Sequence, residues 1–434
     1  MHDRTRRFVC RLSFTLFCVL PTLVVAAWVA VLRSPAYVAA DKTAWENRLA
    51  DELGLVVTLR QVTHPSRGVT LLEGLELADP ETAAQVAKVR QIEIGRRGDD
   101  LLLLASQPEF QGDQAWRLWE VLQERLLRGR GSAQRRVQLR SGEVTVHRTG
   151  DRGASTLTDV RCWLAPTAEG PQLAIEFRDV ALQMAEPAQL RVTRNRRLSP
   201  PATRWELHTQ STALPCSLLA DQFEILKGLG DRATFQGSIE VTQTATGWEG
   251  TLRKAVFREV DLDCLVTKHC PHKLSGWAEI GFPRATLRGG KVTDASGEVV
   301  CRGGQVSWSL LDQAAQLGLS AAPRVSNLAA NVNCGYQELR FGFTCNPQGL
   351  TIVGKCVAAA EGVVMLDEQG PLLVDKPQEV ALVALIRVLS PQNGEAIPAT
   401  AEASQLLHVL PIPSAHQSRP GGTLRRPYSP LRFQ

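Results

Sequence analysis

The chain opens on a charge-free run and then changes rhythm. Residues 12–32 read LSFTLFCVLPTLVVAAWVAVL. As a helix rising ~1.5 Å per residue, this run matches the ~30 Å hydrocarbon layer of a bilayer. Arg4, Arg6, Arg7 and Arg11 precede it, and Arg33 and Lys42 follow. That bias predicts a single-pass span with the N-terminus in the cytoplasm and the body outside. Pro21 in mid-run predicts a kink without excluding the span. The competing reading is a signal peptide cleaved after "AYVAA" at Ala40, which exports the body equally.

Beyond the run the spacing is briefly helical. DKTAWENRLADELG places Trp45, Leu49 and Leu53 on one face, with Asp41 as cap and Gly54 as stop. Period-two alternation then takes over. Leu55, Val57 and Leu59 oppose Val56, Thr58 and Arg60. Past the turn HPSRG, Val69 and Leu71 flank Thr70, and Leu75 and Leu77 flank Glu76, with a bulge fitting at Glu73-Gly74. Residues 86–95 continue as a strand. GDQAWRLWEVLQERLLR (112–128) is the clearest soluble helix, with Trp116, Trp119, Leu122, Leu126 and Leu127 in one stripe. Short strands recur from 135 to 212, and ALPCSLLADQFEIL (213–226) predicts a helix. A second strand block runs from Ala233 to Ser307 and includes Ile239 and Val241. Helical spacing returns at 307–320. In ELRFGFTC, Leu339, Phe341 and Phe343 alternate with Arg340 and Gly342. Residues 376–389 predict a short apolar helix, too short to cross a bilayer.

Many short strands with few helices predict a mainly β fold, a β-rich α+β body whose antiparallel sheet has one polar and one apolar face. The expected divisions are a basic cytoplasmic tip (1–11), an anchor (12–32) and β regions at 33–132, 133–230 and 231–390. A tail at 391–434, rich in Pro, Ser, Gly and Arg, completes the chain and reads as disordered.

At 434 residues and 44% hydrophobic content, the chain is large enough for a real core. A net charge of +5 is too mild for a nucleic-acid surface, and the 6% aromatic residues do not interleave with basic clusters. No nucleic-acid partner is expected.

Of ten cysteines, Cys10 and Cys18 lie at or in the anchor. Eight lie in the body, where export would let disulfides persist. Cys264 with Cys270, and Cys334 with Cys345, are disulfide candidates; buried free thiols are the alternative. DCLVTKHCPHK gathers Cys264, His269, Cys270 and His272. It reads as a small disulfide loop or ordinary loop residues ahead of a zinc site, because adjacent His269 and Cys270 cannot both reach one ion from an extended chain. No metal and no cofactor is expected. The chain has no GxGxxG after a strand, no GxxxxGK[ST], no GxSxG and no HExxH. No catalytic constellation is expected, and the protein reads as a non-enzyme.

A membrane helix, a helix ending ADELG, a strand, then GVTLLEGLELADP and AQVAKVRQIEI resembles the start of the AsmA/TamB-like family of bacterial envelope proteins. The segment from Asp261 to Leu319, with its Gly-x-Val strand, Gly-rich turn and helix opening on Ser-Leu-Leu, is similar to C-terminal AsmA-like segments. The resemblance implies a long curved antiparallel sheet whose apolar side shields the acyl chains of membrane phospholipid. It implies an inner-membrane anchor, a periplasmic body and a non-catalytic role in envelope assembly or lipid transfer, with other envelope proteins as partners. The groove candidates are then Leu55, Val57, Leu59, Val69, Leu71, Leu75, Leu77, Ile239, Val241, Leu339, Phe341 and Phe343. A scaffold with a closed β-core, such as a secretion-system accessory, is the alternative.

Overall fold

The computed structural model describes Phe8 and residues 12–98, 100–129, 136–147, 154–179, 184–218, 226, 228–244, 247–268, 270–289, 291–323, 332–376 and 378–389. The expected tail and nearly all of the basic tip lie outside these residues. So do His269 and half of the helix expected at 213–226. The fold is 55% strand and 24% helix, built from open, curved, mostly antiparallel sheet.

One helix, Leu12–Val31, is long and apolar enough to cross a membrane, and none of it is buried. It begins as a π turn, Thr15–Val19, and continues as α1 (Leu20–Leu32). Pro21 has no N–H to donate, and the wider turn lies on its N-terminal side, where the regular ladder is interrupted. Helix α2 (Pro35–Leu53) starts earlier than the spacing predicts. Ser34 Oγ accepts from Tyr37 N, Pro35 takes the first turn, and Gly54 at φ 74° closes the helix. Asp41 therefore sits inside the helix, where its carboxylate meets His64 Nε2 at 3.0 Å.

Contacts divide the chain into two units, Met1–Leu214 with Leu218–Glu224, and Pro215–Ser217 with Ile225–Gln434. The first carries β1 (Val56–Thr58), β2 (Gln61–Ser66), β3 (Val69–Ala78), β4 (Gln85–Arg97) and β5 (Asp100–Gln111). After α3 (Ala115–Leu122) and a π turn (Gln123–Arg128) come β6 (Val137–His147), β7 (Ala154–Pro166), β8 (Pro171–Asp179), β9 (Ala188–Asn195) and β10 (Ala202–His208). β1 and β2 both pair with β3, and each later strand pairs with its successor. The pair β5–β6 is parallel, Leu103 opposite Leu139. The helical segment 112–128 is the crossover that a parallel pair requires. This pairing joins the region expected at 33–132 with residues 133–214 of the region expected at 133–230 within one unit.

β11 (Leu214–Pro215) falls at the division. The second unit carries β12 (Thr234–Thr244), β13 (Gly247–Asp261), β14 (Leu274–Ser275), β15 (Trp277–Arg288) and β16 (Lys291–Ser307). It continues through α4 (Trp308–Gln313), β17 (Leu319–Ala321), β18 (Asn333–Cys345), β19 (Leu350–Gly354), β20 (Val363–Asp367), β21 (Gly370–Asp375) and α5 (Leu382–Leu389). The order β12–β13–β15–β16–β18 is antiparallel throughout. β19 and β20 share the next place, pairing with different parts of β18. Both helices are shorter than the spacing predicts. After α4 a 3₁₀ turn ends at Gly318, φ 73°. Ahead of α5, Val380 is held by backbone bonds with Leu350 in both directions.

The disulfide expectation is corrected. None of Cys264, Cys270, Cys334 and Cys345 is in a disulfide. Cys334 and Cys345 lie at opposite parts of one strand, opposite Val306 and Ala295. At ~3.3 Å per residue, their eleven-residue separation is ~36 Å, far beyond the ~7 Å limit between bridged Cα atoms. Cys264 Sγ instead meets Lys268 Nζ at 3.0 Å and Asp261 Oδ2 at 3.2 Å. Alkylation of the unfolded protein without reductant, read by peptide mass mapping, should modify all four cysteines. Recovery of a 264–270 or 334–345 bridge would contradict the structure.

Candidate functional site

Apolar side chains on successive strands fall into cross-strand rows. In the first unit one row runs Ile94, Leu103, Leu139, Cys162, Ile175, Leu190 and Leu207, from β4 to β10 without a gap. A parallel row runs Leu101, Val137, Leu164, Leu173, Val192 and Trp205. In the second unit Ile239, Leu252, Ala285, Ala295, Cys345 and Leu350 align from β12 to β19. Beside them run Phe235, Phe257, Ile280, Val299 and Phe341. Aromatic rings bridge these rows, Phe257 to Phe282 at 6.0 Å and Phe282 to Phe343 at 5.8 Å, both edge to face.

Long twisted strands would lose this alignment if alternation were strict. Residues with left-handed backbone reset it. Gly74 sits at φ 60°, so Leu72 and Leu75, three positions apart, join one cluster with Val57, Leu59, Val62 and Val89. Glu259 at φ 51° does the same for Phe257 and Val260, where the β13–β15 register shifts. The shift at Glu259 is a β-bulge, which bends the strand and increases its twist, whereas at Gly74, where a bulge was expected, the β3–β4 pairing keeps its register, Glu73 opposite Gln91 and Leu75 opposite Val89.

The faces are covered only in places. Trp45, Leu49 and Ala50 of α2 pack on the cluster of Leu72 and Leu75. Trp119 and Leu127 of the crossover pack on Leu164, Val192 and Trp205, with the two indoles 6.5 Å apart. In the second unit Leu311 of α4 and Leu382 and Ile386 of α5 close the face over Cys301 and Leu339. Elsewhere Leu103, Leu139, Ile175 and Ile239 are half-buried, while Leu190 packs at the margin of the Leu127–Val192 cluster, Leu207 against Met184 and Leu214, and Leu252, Phe282 and Phe343 at the margin of the cluster with Cys301 and Leu339. Burial is still enough to push the Cys162 thiol up to about 11.

The opposite faces are charged. Arg340 meets Glu298 at 2.7 Å and Lys355 joins at 3.4 Å, which together hold the Glu298 carboxyl below its ordinary range. Arg258 pairs with Glu279 at 3.2 Å. Such exposed pairs contribute little, roughly 0–1 kcal/mol each. On the first unit an open polar depression is lined by Arg60, Lys88 and Arg90 against Glu73, Glu76 and Glu109. Its two charge signs balance.

Of the sequence-read groove positions, Leu55, Val57, Leu59, Leu75 and Leu339 are buried. Leu77, Phe341 and Phe343 pack at the margins of these clusters. Ile239 and Val241 are half-buried opposite Leu252 and Gly250. Val69 and Leu71 are half-buried and stand outside the cluster that holds their neighbour Leu72. Leu72 and the row through Ile175 escaped sequence reading. The signal for Leu72 was Gly74 inside a strand pattern, which marks a break in strict alternation.

Among the described residues no group of three or more His, Cys, Asp and Glu side chains is placed to hold a metal ion. His272 is buried between elements instead. Its Nε2 lies 2.8 Å from the Val388 carbonyl of α5 and its Nδ1 lies 2.9 Å from Ser309 Oγ of α4. A carbonyl only accepts, so Nε2 carries the proton and Nδ1 accepts from the serine hydroxyl. Burial pushes the His272 pKa down.

No family model matches the chain, and neither does any curated protein or solved structure. The architecture and the site therefore rest on the molecule's own geometry.

Two measurements check this geometry. Below the ordinary histidine pKa of about 6.5, an unfolded chain takes up a proton that buried His272 resists, so folding loses stability as pH falls. The contribution is full above that pH. The melting temperature should drop between pH 7.5 and 5, and His272→Phe should flatten the drop while costing about 1–3 kcal/mol for the orphaned groups. An unchanged pH profile in the variant would assign the drop elsewhere. Ile386→Ala, which empties a wholly buried site, should cost about 2–5 kcal/mol in denaturant unfolding; a loss under 1 kcal/mol would mean α5 is not docked.

Proposed function

We propose that this is a membrane-anchored, non-catalytic protein whose apolar sheet faces hold the acyl chains of membrane phospholipid, in the manner of AsmA-like envelope proteins. The observation that carries the reading is the row from Ile94 to Leu207, apolar on seven successive strands yet half-buried. A closed core buries such residues completely. Contiguous apolar surface left partly open marks an interaction site, and each methylene transferred onto it from water gains ~0.8 kcal/mol. The N-terminal helix supplies attachment to the membrane. Its basic flank supports an N-terminus inside and a body in the periplasm of a double-membraned bacterium, at the inner membrane, where lipid and other envelope proteins are the partners.

The second reading, a scaffold with an ordinary core, draws support from α4 and α5, whose Leu311, Ile386 and Val388 are sealed against the second sheet. It accounts for that part of the molecule and leaves the open rows unused.

Photo-crosslinking separates the two. A benzophenone amino acid placed at Ile175 or Leu190 of the full-length protein in native membranes should yield a covalent phospholipid adduct by mass spectrometry. The same probe at outward-facing Arg191 should yield none. Equal labelling at all three positions, or no lipid at any, would favour the scaffold.

A further inference from the structure

Strand pairing brings one end of each long strand in the first unit to a common rim. Ser66 lies opposite Val69, Arg97 opposite Asp100, Leu101 opposite Val137 and Val137 opposite Leu164. Pro166 lies opposite Pro171, Gln172 opposite Thr193 and Asn195 opposite Ala202. The turns at 66–69, 97–100, 166–171 and 195–202 and the start of β6 therefore share this rim. Arg67, Arg96, Arg97, Arg136 and Arg197 stand exposed on it, and no hydrogen bond or ion pair engages their guanidiniums among the described residues. Arg194 and Arg196 lie there too but are held inside the unit, Arg194 by Thr203 and Arg196 by the carbonyls of Leu127 and Gly129. Two described carboxylates stand in these turns. Asp100 is paired in register with Arg97, and Glu169 accepts from Asn195 Nδ2 at 3.3 Å. The turns at the opposite end carry Asp79, Glu81, Asp113 and Glu186 instead.

The same rim is where the chain arrives from the apolar N-terminal helix. Asp41 of α2 meets His64 there, just ahead of the β2–β3 turn. From that point α2 runs toward the opposite end, over Leu72 and Leu75, and Gly54 leads into β1, whose Val56 pairs with Ala78. Pro35 to Ala40, the turns between the apolar helix and Asp41, carry no charge and are exposed throughout, Tyr37 by 45% and Val38 by 41%. Apolar turns that pack on nothing belong in lipid, and tyrosine favours the level of the headgroups. Asp41 follows Pro35 by ~9 Å of helix rise, about one Debye length at physiological salt. Unpaired cations at that distance are drawn to anionic headgroups, about fivefold per arginine.

We propose that Arg67, Arg96, Arg97, Arg136 and Arg197 dock this end of the first sheet on anionic headgroups of the bilayer that holds the N-terminal helix. The docking rests on the membrane-anchored part of the reading above and does not depend on acyl chains entering the rows. It fixes which end of the sheet meets lipid. Leu101 and Val137 follow directly on Asp100 and Arg136, so the apolar face begins at the docked rim.

The test uses full-length protein reconstituted in vesicles whose lipid carries a headgroup-linked quencher. A fluorescent amino acid replaces Ala168, in the β7–β8 turn on the rim, or Ala185, at the opposite end. In vesicles containing phosphatidylglycerol, the probe at 168 should be quenched and the probe at 185 should not. Pure phosphatidylcholine, or about 1 M salt, where the Debye length is ~3 Å, should relieve the quenching at 168. Arg96→Gln combined with Arg97→Gln should lower the docked-to-undocked ratio ~25-fold with phosphatidylglycerol, two arginines at fivefold each, and leave the phosphatidylcholine value unchanged. Where circular dichroism shows the double variant to be misfolded, the salt titration of the wild type decides. Quenching at 168 that is equal in both lipids and insensitive to salt overturns the docking and leaves the anchor standing. So does its absence with phosphatidylglycerol. Release of the protein from the vesicles by alkaline carbonate removes the anchor and the docked rim together.

Discussion

Alternation is the constraint on which this molecule turns. A strand presents successive side chains to opposite faces, so a slip of one position moves an entire apolar set to the wrong side. Long strands that twist and bend cannot keep strict alternation and a continuous face together. The chain resolves the conflict with residues in left-handed conformation inside strands, including Gly74, Gln107, Asp159, Lys254 and Glu259. A residue other than glycine held there costs about 1–3 kcal/mol. The cost persists because relaxing it would turn Val260, Cys301 and Leu339, which lie in one row and are all buried, out of register.

Given aligned rows, the helices decide how much of each face is closed. Each covers one stretch. Helix α2 lies on the first strands, the crossover lies on Leu164 and Val192, and α4 with α5 lie on Cys301 and Leu339. Between these caps the rows remain half-open. His272 fastens the α4–α5 cap by uniting Ser309 and Val388, which are far apart in the chain. The proposed lipid-holding rows therefore occupy what the caps leave.

Cysteine shows how the same constraint reads chemically. Cys162, Cys301 and Cys345 are members of the apolar rows, each opposite an aliphatic residue: Leu139, Ala278 and Ala295. There they act as small hydrophobes, and burial raises all three thiols. The even number of cysteines in the body, eight, suggested bridges. Their placement on separate strands and opposite ends of strands assigns them to packing.

Local signals were sufficient for the long apolar N-terminal helix, the crossover helix, the mainly β character and the alternating runs at Leu55–Leu59 and Leu339–Phe343, because each depends on neighbours within a turn or two of chain. Gly54 as a helix stop was legible for the same reason. Ser34 displaced Asp41 as the cap because Pro35 sets the first turn from outside the apolar pattern. What tertiary structure alone decided is which rows meet. Whether Leu139 lies opposite Leu103, or Arg194 stands at the end of a face that begins at Ile94, depends on pairing between strands distant in sequence, and period-two patterning carries no information about partner or register. The fate of His272 is of the same kind: its two hydrogen-bond partners exist only after the sheet brings α4 and α5 together.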